Sequence, residues 1–309
     1  MTETALLCPG QGSQTSGMGA AFYDAWPEFR EAFARLDGSL DLDLETLVFE
    51  SSDDRLRETR YTQPAVFAVG VTAARATDRR FDVDPTFFAG HSLGHFTALA
   101  AAGALPAGAG AELVAERGRL MQRAGERDGP GTMVAVLLTD PGDVAEVCAD
   151  YSDVSVAVYN GRRQTVVSGA TDQVTAVREE LSETHTARFE ELDVGTAFHS
   201  PLMSSAVDPF EAALAETAFE TADAPVVSDV TGDPYTDGSR ARSQLATQLT
   251  NPVRWTDVVA HLDEAGVDRY VELPPAGTLA ALVERAGVSG EVVTLDEPTD
   301  AREVFDSVA

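Results

Sequence analysis

Serine, histidine and the glycines around them carry the first sign of chemistry in this chain of 309 residues. Gly90-His91-Ser92-Leu93-Gly94 follows the apolar run Thr86-Phe87-Phe88-Ala89, which reads as a buried strand, and precedes the Ala-rich run from His95 to Ala101, which reads as a helix. G-x-S-x-G at a strand-to-helix junction is a nucleophile elbow: the glycines permit a turn so sharp that the serine stands exposed, and the next N–H faces the reacting carbonyl. Ser92 is therefore a candidate nucleophile and Leu93 N–H a candidate oxyanion donor. A serine at its ordinary pKa needs an adjacent base, and five histidines are available. His91, a neighbour of Ser92 in a tight turn, points elsewhere and is expected to be a structural hydrogen-bonder. His95 is expected at the surface, near the mouth of the site, and His185 and His261 in solvent. His199 falls where a strand of the main domain should end, the place where α/β proteins carry their sites. Elimination leaves it as the base or as a buried structural histidine. The third partner, which holds the imidazole tautomer, can be an acid or a carbonyl, and acids are too plentiful for chain order to select one.

The elements that must position these groups follow from hydrophobic patterning. The run 5–8 reads as a first buried strand and ends in Pro9-Gly10-Gln11-Gly12-Ser13-Gln14. This loop lacks the ending of a P-loop and the third glycine of a dinucleotide turn; it can bring backbone N–H groups close to something bound. A helix begins at Pro27, with Phe29, Phe33 and Leu36 on one face. The stretch 41–60 reads as polar and irregular, and helices are expected over 61–76 and 108–124. The cluster Asp128-Gly129-Pro130-Gly131 is a breaker. Beyond it come a strand over 133–138, a helix over 141–149, and a strand over 154–158. A turn at Asn160-Gly161 leads to a strand over 165–168, a helix with Val174, Val177 and Leu181 in register, and a strand over 187–192. That β-α-β-β-α-β order is the ferredoxin-like unit. Alternation then resumes, with strands over 225–228, 269–273 and 292–295 and helix on either side of Asn251-Pro252. The fold class is α/β, with a catalytic domain over 1–127 and 195–309 and an inserted subdomain over 128–194.

Composition bounds the partners. There are 51 acidic residues against 22 basic ones, for a net charge of −29, and every basic residue is arginine. Binding to nucleic acid or an anionic membrane needs clustered cations, so neither is expected. The acids are spread through the chain rather than gathered in a tail, which fits a protein of a high-salt cytoplasm, as in halophilic archaea. At about 1 M salt the Debye length is only about 3 Å, and such self-repulsion is tolerable. No apolar run approaches a membrane span, no export signal opens the chain, and Cys8 and Cys148 are too few for a disulfide framework or a metal site. A cytoplasmic monomer without metal is expected.

Several motifs together carry a resemblance. Cys8-Pro9-Gly10-Gln11-Gly12-Ser13-Gln14, Gly90-His91-Ser92-Leu93-Gly94, Arg117-Gly118 with Met121-Gln122, Ala197-Phe198-His199-Ser200-Pro201-Leu202-Met203, and Gln248-Leu249-Thr250-Asn251-Pro252-Val253-Arg254-Trp255 occur in that order. In this order and spacing they resemble the malonyl-CoA:acyl carrier protein transacylase family, which includes the acyltransferase domains of polyketide synthases. The resemblance implies an α/β-hydrolase-like large domain with the ferredoxin-like insertion. It also implies a ping-pong reaction: malonyl-CoA acylates Ser92, CoA leaves, and the phosphopantetheine thiol of an acyl carrier protein collects the acyl group. His199 would be general base and then acid, Gln248 would orient it through a carbonyl oxygen, and the N–H groups of Gln11 and Leu93 would form the oxyanion hole. Arg117 would pair with the malonyl carboxylate in a geometry lysine cannot reproduce, and Gln63 would lie near the substrate. Phe198 would crowd a 2-methyl branch, which favours malonyl over methylmalonyl by only about 1–3 kcal/mol. No metal or redox cofactor is implied.

Two departures from the family pattern stand out: Cys8 where phenylalanine is usual, and Leu273-Pro274-Pro275 where a Gly-Pro segment is usual. Bland readings also exist, with Arg117 as a surface partner of a nearby acid and Gln248 as a helix-end residue. At the level of function, the rivals are a serine esterase or thioesterase, an acyltransferase for another acyl-CoA such as methylmalonyl-CoA, and an idle binding module. A carrier protein, itself acidic as a rule, would need high salt or a local arginine patch to approach this surface.

Overall fold

The apolar run after Thr4 forms a strand, β1 (Thr4–Cys8), with every residue buried, as a parallel strand covered on both faces requires. In the computed structural model, which describes residues 2–305, β1 lies inside a six-stranded sheet. The other strands are β2 (Phe87–Gly90), β7 (Val226–Val227), β8 (Pro234–Tyr235), β9 (Arg269–Glu272) and β10 (Glu291–Thr294), in the order β10-β9-β1-β2-β7-β8. All neighbours are parallel except β8, which runs antiparallel to β7. The chain winds from β1 to β2 in one direction, and β9 and β10 add on the other side. The strand order therefore reverses between β1 and β9, and on the other side of β1 the register Cys8↔Gly90 ends β1 and β2 at one level. Open α/β sheets bind ligands outside the carboxyl ends of the strands at such a reversal, and the end of β1 borders that crevice. The loops Pro9–Gln14 and His91–Gly94 leave side by side from the ends of β1 and β2.

Strands β3 (Gly131–Leu137), β4 (Val154–Gly161), β5 (Gln164–Ala170) and β6 (Arg188–Glu191) form a separate antiparallel sheet in the order β4-β5-β3-β6. Its alternation divides the side chains between two cores. Val134, Val136, Val156 and Val167 join Val144, Val147, Val174, Val177 and Leu181 from the helices Pro141–Ala149 and Thr171–Thr184. Met133, Ala135, Ala157, Val158 and Val166 point the other way, into the main core. This face closes over the crevice from above.

Local differences from the sequence expectations have physical reasons. The stretch 41–60 contains two short helices, Leu44–Phe49 and Asp53–Leu56, capped by the side chains of Asp43 and Ser52. They are too short for a periodic signal, and the caps alone marked them. The helix expected over 61–76 runs over Thr59–Phe81. The hairpin between β4 and β5 turns at Arg162-Arg163, beyond the expected Asn160-Gly161, because β4 carries bulges that lengthen it. Strand β8 and the helix Pro298–Phe305 fall outside the elements expected from the sequence. Residues 1 and 306–309 of the expected domain span lie outside the described residues. Among the described residues no helix is long and apolar enough to cross a membrane, and Asp229 and Glu272 are the acidic side chains that are buried.

Two glycines lock the loop after β1 against the loop after β2. A Cβ on Gly94 would stand 1.9 Å from the Cys8 carbonyl oxygen, and one on Gly10 would stand 2.3 Å from that of His91. Both obstacles are backbone and cannot swing away. Gly94→Ala is expected to cost at least about 3 kcal/mol, the upper range of overpacking, in denaturant unfolding; a cost below about 1 kcal/mol would show that the two loops can separate freely.

Candidate active site

Ser92 stands between β2 and the helix Leu93–Ala101 with φ 52° and ψ −106°, a conformation rare for a residue with a side chain. Its N–H is held by Asp229 Oδ2 at 2.9 Å, and the His91 N–H by the Cys8 carbonyl at 3.1 Å. The N–H groups of Gln11 and Leu93 make no hydrogen bond among the described residues. They flank the junction of the two loops, where free donors can meet a developing oxyanion.

His199, also at positive φ (54°), reaches the serine from the loop that follows the four-stranded unit. Its Nε2 lies 2.8 Å from Ser92 Oγ. Its Nδ1 lies 2.8 Å from the main-chain carbonyl of Gln248 and 3.1 Å from that of Asn251. A carbonyl only accepts, so Nδ1 must carry the proton and Nε2 presents its lone pair to the serine hydroxyl. The tautomer of a base is thus set without a carboxylate. Burial, reinforced by the Arg117 charge, lowers the His199 pKa to about 4, although the Gln248 carbonyl and Asp229 pull it upward.

Arg117 projects from the helix Ala107–Arg127 and is 1 % exposed. Its Nη1 donates to Gln63 Oε1 at 2.9 Å, and its Nη2 to Gln248 Oε1 at 2.9 Å and to Ser92 Oγ at 3.2 Å. Its Nε has no partner in the structure. No carboxylate lies within ion-pairing distance among the described residues, and the Phe96 ring covers the guanidinium at 5.4 Å. Burial lowers its pKa to about 10, against an upward pull from Asp229, so it stays a cation at neutral pH. A buried cation with amide and hydroxyl partners only is electrostatically incomplete; a ligand carboxylate would complete it.

Ser92, His199, Arg117 and Gln63 line a cavity of about 540 Å³, together with Gln11, Met121, Phe198 and, from the second sheet, Met133, Val158 and Val166. Its size suits a small acyl group with part of its carrier. Gln11, Gln63, Ser92, Arg117, Phe198 and His199, dispersed over the chain, line it, while Gln248 holds His199 and Arg117 from behind and Leu93 follows Ser92 in the elbow. The expectation for His95 fails: it is fully buried, because the helix after the elbow is enclosed on all sides. Its Nδ1 contacts Asp229, and its Nε2 lies 2.5 Å from Tyr235 Oη. His185 and His261 are half-buried rather than in solvent, the first beside Asp143, the second edge-on to Phe87. His91 makes the expected structural hydrogen bond, with Nε2 3.1 Å from Asn160 Oδ1. Asp229 is not among the residues expected from the sequence, where its one signal is an acid in the apolar context Val226-Val227-Ser228.

The pH dependence follows from the His199 shift. A histidine with a lowered pKa is neutral, and able to accept the serine proton, at every pH above about 4. The rate at which Ser92 attacks an activated ester is expected to stay flat down to about pH 5 and to be lost as pH falls through about 4; stopped-flow measurement of the acylation burst checks this, and a midpoint at the ordinary histidine value would contradict it.

Residues 5–302 match the family described as the acyl transferase domain. The chain is 38 % identical over 293 residues to the polyketide biosynthesis protein ThaF of Burkholderia thailandensis, covering 93 % of this chain and 25 % of that protein, so it spans about a quarter of that relative's length. It is 32 % identical over 302 residues to the malonyl CoA-acyl carrier protein transacylase of Escherichia coli K12, covering 97 % of each. Among solved structures it is similar to malonyl-CoA:acyl carrier protein transacylase from Xanthomonas oryzae, with a TM-score of 0.94, 35 % identity and 99 % of both chains covered.

Proposed function

Because the chain belongs to the acyl transferase domain family, we propose that it transfers a malonyl group from malonyl-CoA to the phosphopantetheine thiol of an acyl carrier protein, for fatty-acid or polyketide synthesis. The observation that carries the choice of acyl group is Arg117, a buried guanidinium without a carboxylate, 3.2 Å from the serine hydroxyl. A neutral acyl chain would gain nothing from it. The family likeness supports the carrier protein as acceptor.

In the first half-reaction His199 Nε2 takes the Ser92 proton as Oγ bonds to the thioester carbonyl carbon. The oxyanion is met by the N–H groups of Gln11 and Leu93. The C–S bond then breaks, and the imidazolium returns its proton to the CoA thiolate. The second half-reaction reverses these steps with the carrier thiol: His199 deprotonates it, sulfur attacks the ester, and the proton goes back to Ser92. Gln248 acts through its main-chain carbonyl, so the tautomer is held whatever its side chain does. Phe198 narrows the cavity at the acyl end and favours malonyl over its 2-methyl analogue.

The strand order β4-β5-β3-β6 with both helices on one face supports a ferredoxin-like unit over 128–194. The parallel sheet with its elbow supports an α/β-hydrolase-like domain built from the remainder. Beside the cavity, a groove of about 880 Å³ shares Asn160 with it and carries Arg162, Arg163 and Arg285 along with Asp140 and Asp263. None of these arginines is in an ion pair among the described residues. This is the local arginine patch that an acidic carrier would need.

Incubation with labelled malonyl-CoA is expected to label Ser92, and holo carrier protein should release the label much faster than water does. Equal release by water would make the protein a hydrolase, and no Ser92 adduct would end both readings. Arg117→Ala is expected to lower kcat/KM for malonyl-CoA roughly 10- to 150-fold, the worth of a charge-assisted hydrogen bond, with a much smaller effect on acetyl-CoA. Replacing Arg162, Arg163 and Arg285 by serine is expected to raise KM for the carrier several-fold while the malonyl-CoA burst is unchanged; an unchanged KM would place the carrier elsewhere.

A further inference from the structure

Behind the site lies a set of buried polar groups that the chemistry above does not use. Asp229, fully buried, lies in the loop between β7 and β8. Its Oδ2 accepts from the Ser92 N–H at 2.9 Å and from Gln248 Nε2 at 2.9 Å, and its Oδ1 contacts His95 Nδ1 and, at 3.2 Å, Gln248 Nε2 again. His95 continues to Tyr235 Oη, and both are buried. The Asp229 carbonyl accepts from the Arg254 N–H at 2.7 Å, which holds the loop in place.

The consequence concerns a side-chain amide. A carboxylate only accepts, so Gln248 must turn Nε2 toward Asp229, where it also donates to the Ser92 carbonyl at 3.0 Å. Gln248 Oε1 then has one direction left, toward Arg117 Nη2. We propose that the buried Asp229–His95–Tyr235 chain is a positioning device: Asp229 fixes both the backbone of Ser92 and the orientation of the Gln248 amide, and through that amide the guanidinium of Arg117. His95 holds the carboxylate that does this, and Tyr235 holds His95. Asp229 touches no reacting atom. It restrains the nucleophile turn and the acid-recognition group together, from one buried anion.

Burial of the carboxylate raises its pKa, but the His95 charge, the His95 and Gln248 hydrogen bonds and the His199 charge outweigh this, and the net direction is downward. The group therefore remains an acceptor over the working range. Removing it should leave Ser92 N–H and Gln248 Nε2 buried without a partner and free the amide to turn. An asparagine would keep one acceptor for Ser92 and should recover part of the loss.

The inference rests on the acyl-transfer reading, and the test keeps the two apart. Asp229→Ala, Asp229→Asn, His95→Ala and the Asp229→Ala/His95→Ala double variant are compared in three readouts. These are folded fraction by circular dichroism, kcat/KM for malonyl-CoA against acetyl-CoA, and the rate at which a fluorophosphonate labels Ser92. Asp229→Ala is expected to slow serine labelling roughly 10- to 150-fold per molecule of folded protein and to narrow the malonyl-to-acetyl preference. Asp229→Asn should recover much of the labelling rate, and the double variant should be no slower than Asp229→Ala alone. Labelling and preference that change only in step with folded fraction would overturn the proposal, as would additive losses in the double variant. If the wild type formed no malonyl adduct, the acyl-transfer reading would fall, and the fluorophosphonate rates alone would decide the role of Asp229.

Discussion

Everything at this site depends on holding one serine in a backbone conformation that serine does not favour. At φ 52° the elbow is strained, and the surroundings must supply what keeps it there. Glycine at positions 10 and 94 lets the neighbouring backbones meet at distances that any Cβ would forbid. Parallel pairing of β1 with β2 brings the two loops to one level. Asp229 takes the Ser92 N–H. The strained turn, the unpartnered N–H groups of Gln11 and Leu93 among the described residues, and the register of the sheet are in this sense one feature.

The charges follow a different logic inside and outside. The surface carries the acidic excess of a chain at −29, while the interior places one guanidinium and one carboxylate on either side of the Gln248 amide. Arg117 and Asp229 do not touch; the amide passes each its complementary end. This arrangement leaves the guanidinium with capacity for a ligand carboxylate, which a direct ion pair would consume. The same cation presses the His199 pKa down. A carboxylate partner at Nδ1 would oppose that effect, whereas the main-chain carbonyls of Gln248 and Asn251 fix the tautomer without adding charge. The imidazole is therefore neutral at any pH above about 4.

How much could be read in advance depended on how local each signal was. The elbow was legible because its glycines, its strand and its helix are contiguous. The four-stranded antiparallel unit is legible because its strands alternate and its helices keep register, and even there the hairpin turn lies beyond the residues expected, since bulges in β4 leave no mark on composition. His95 was misplaced because a helix enclosed on every side offers no polar face against which a histidine can be judged. Asp229 is not distinguishable among 51 acids, since nothing short of the packing separates a buried carboxylate from a solvated one.

By itself the sequence determined the chemistry available: a serine on an elbow, a histidine after an alternating antiparallel stretch, an arginine in a motif, a strongly acidic composition, and the family those motifs share. Only the tertiary structure decided the relations among them. It brought His199 to 2.8 Å from a serine 107 residues away, assigned the tautomer to main-chain carbonyls, and enclosed Arg117 without a carboxylate. The reason is physical. Residue type and spacing set what a group can do and which element carries it. Protonation, orientation and electrostatic incompleteness depend on burial and on partners that come from distant parts of the chain.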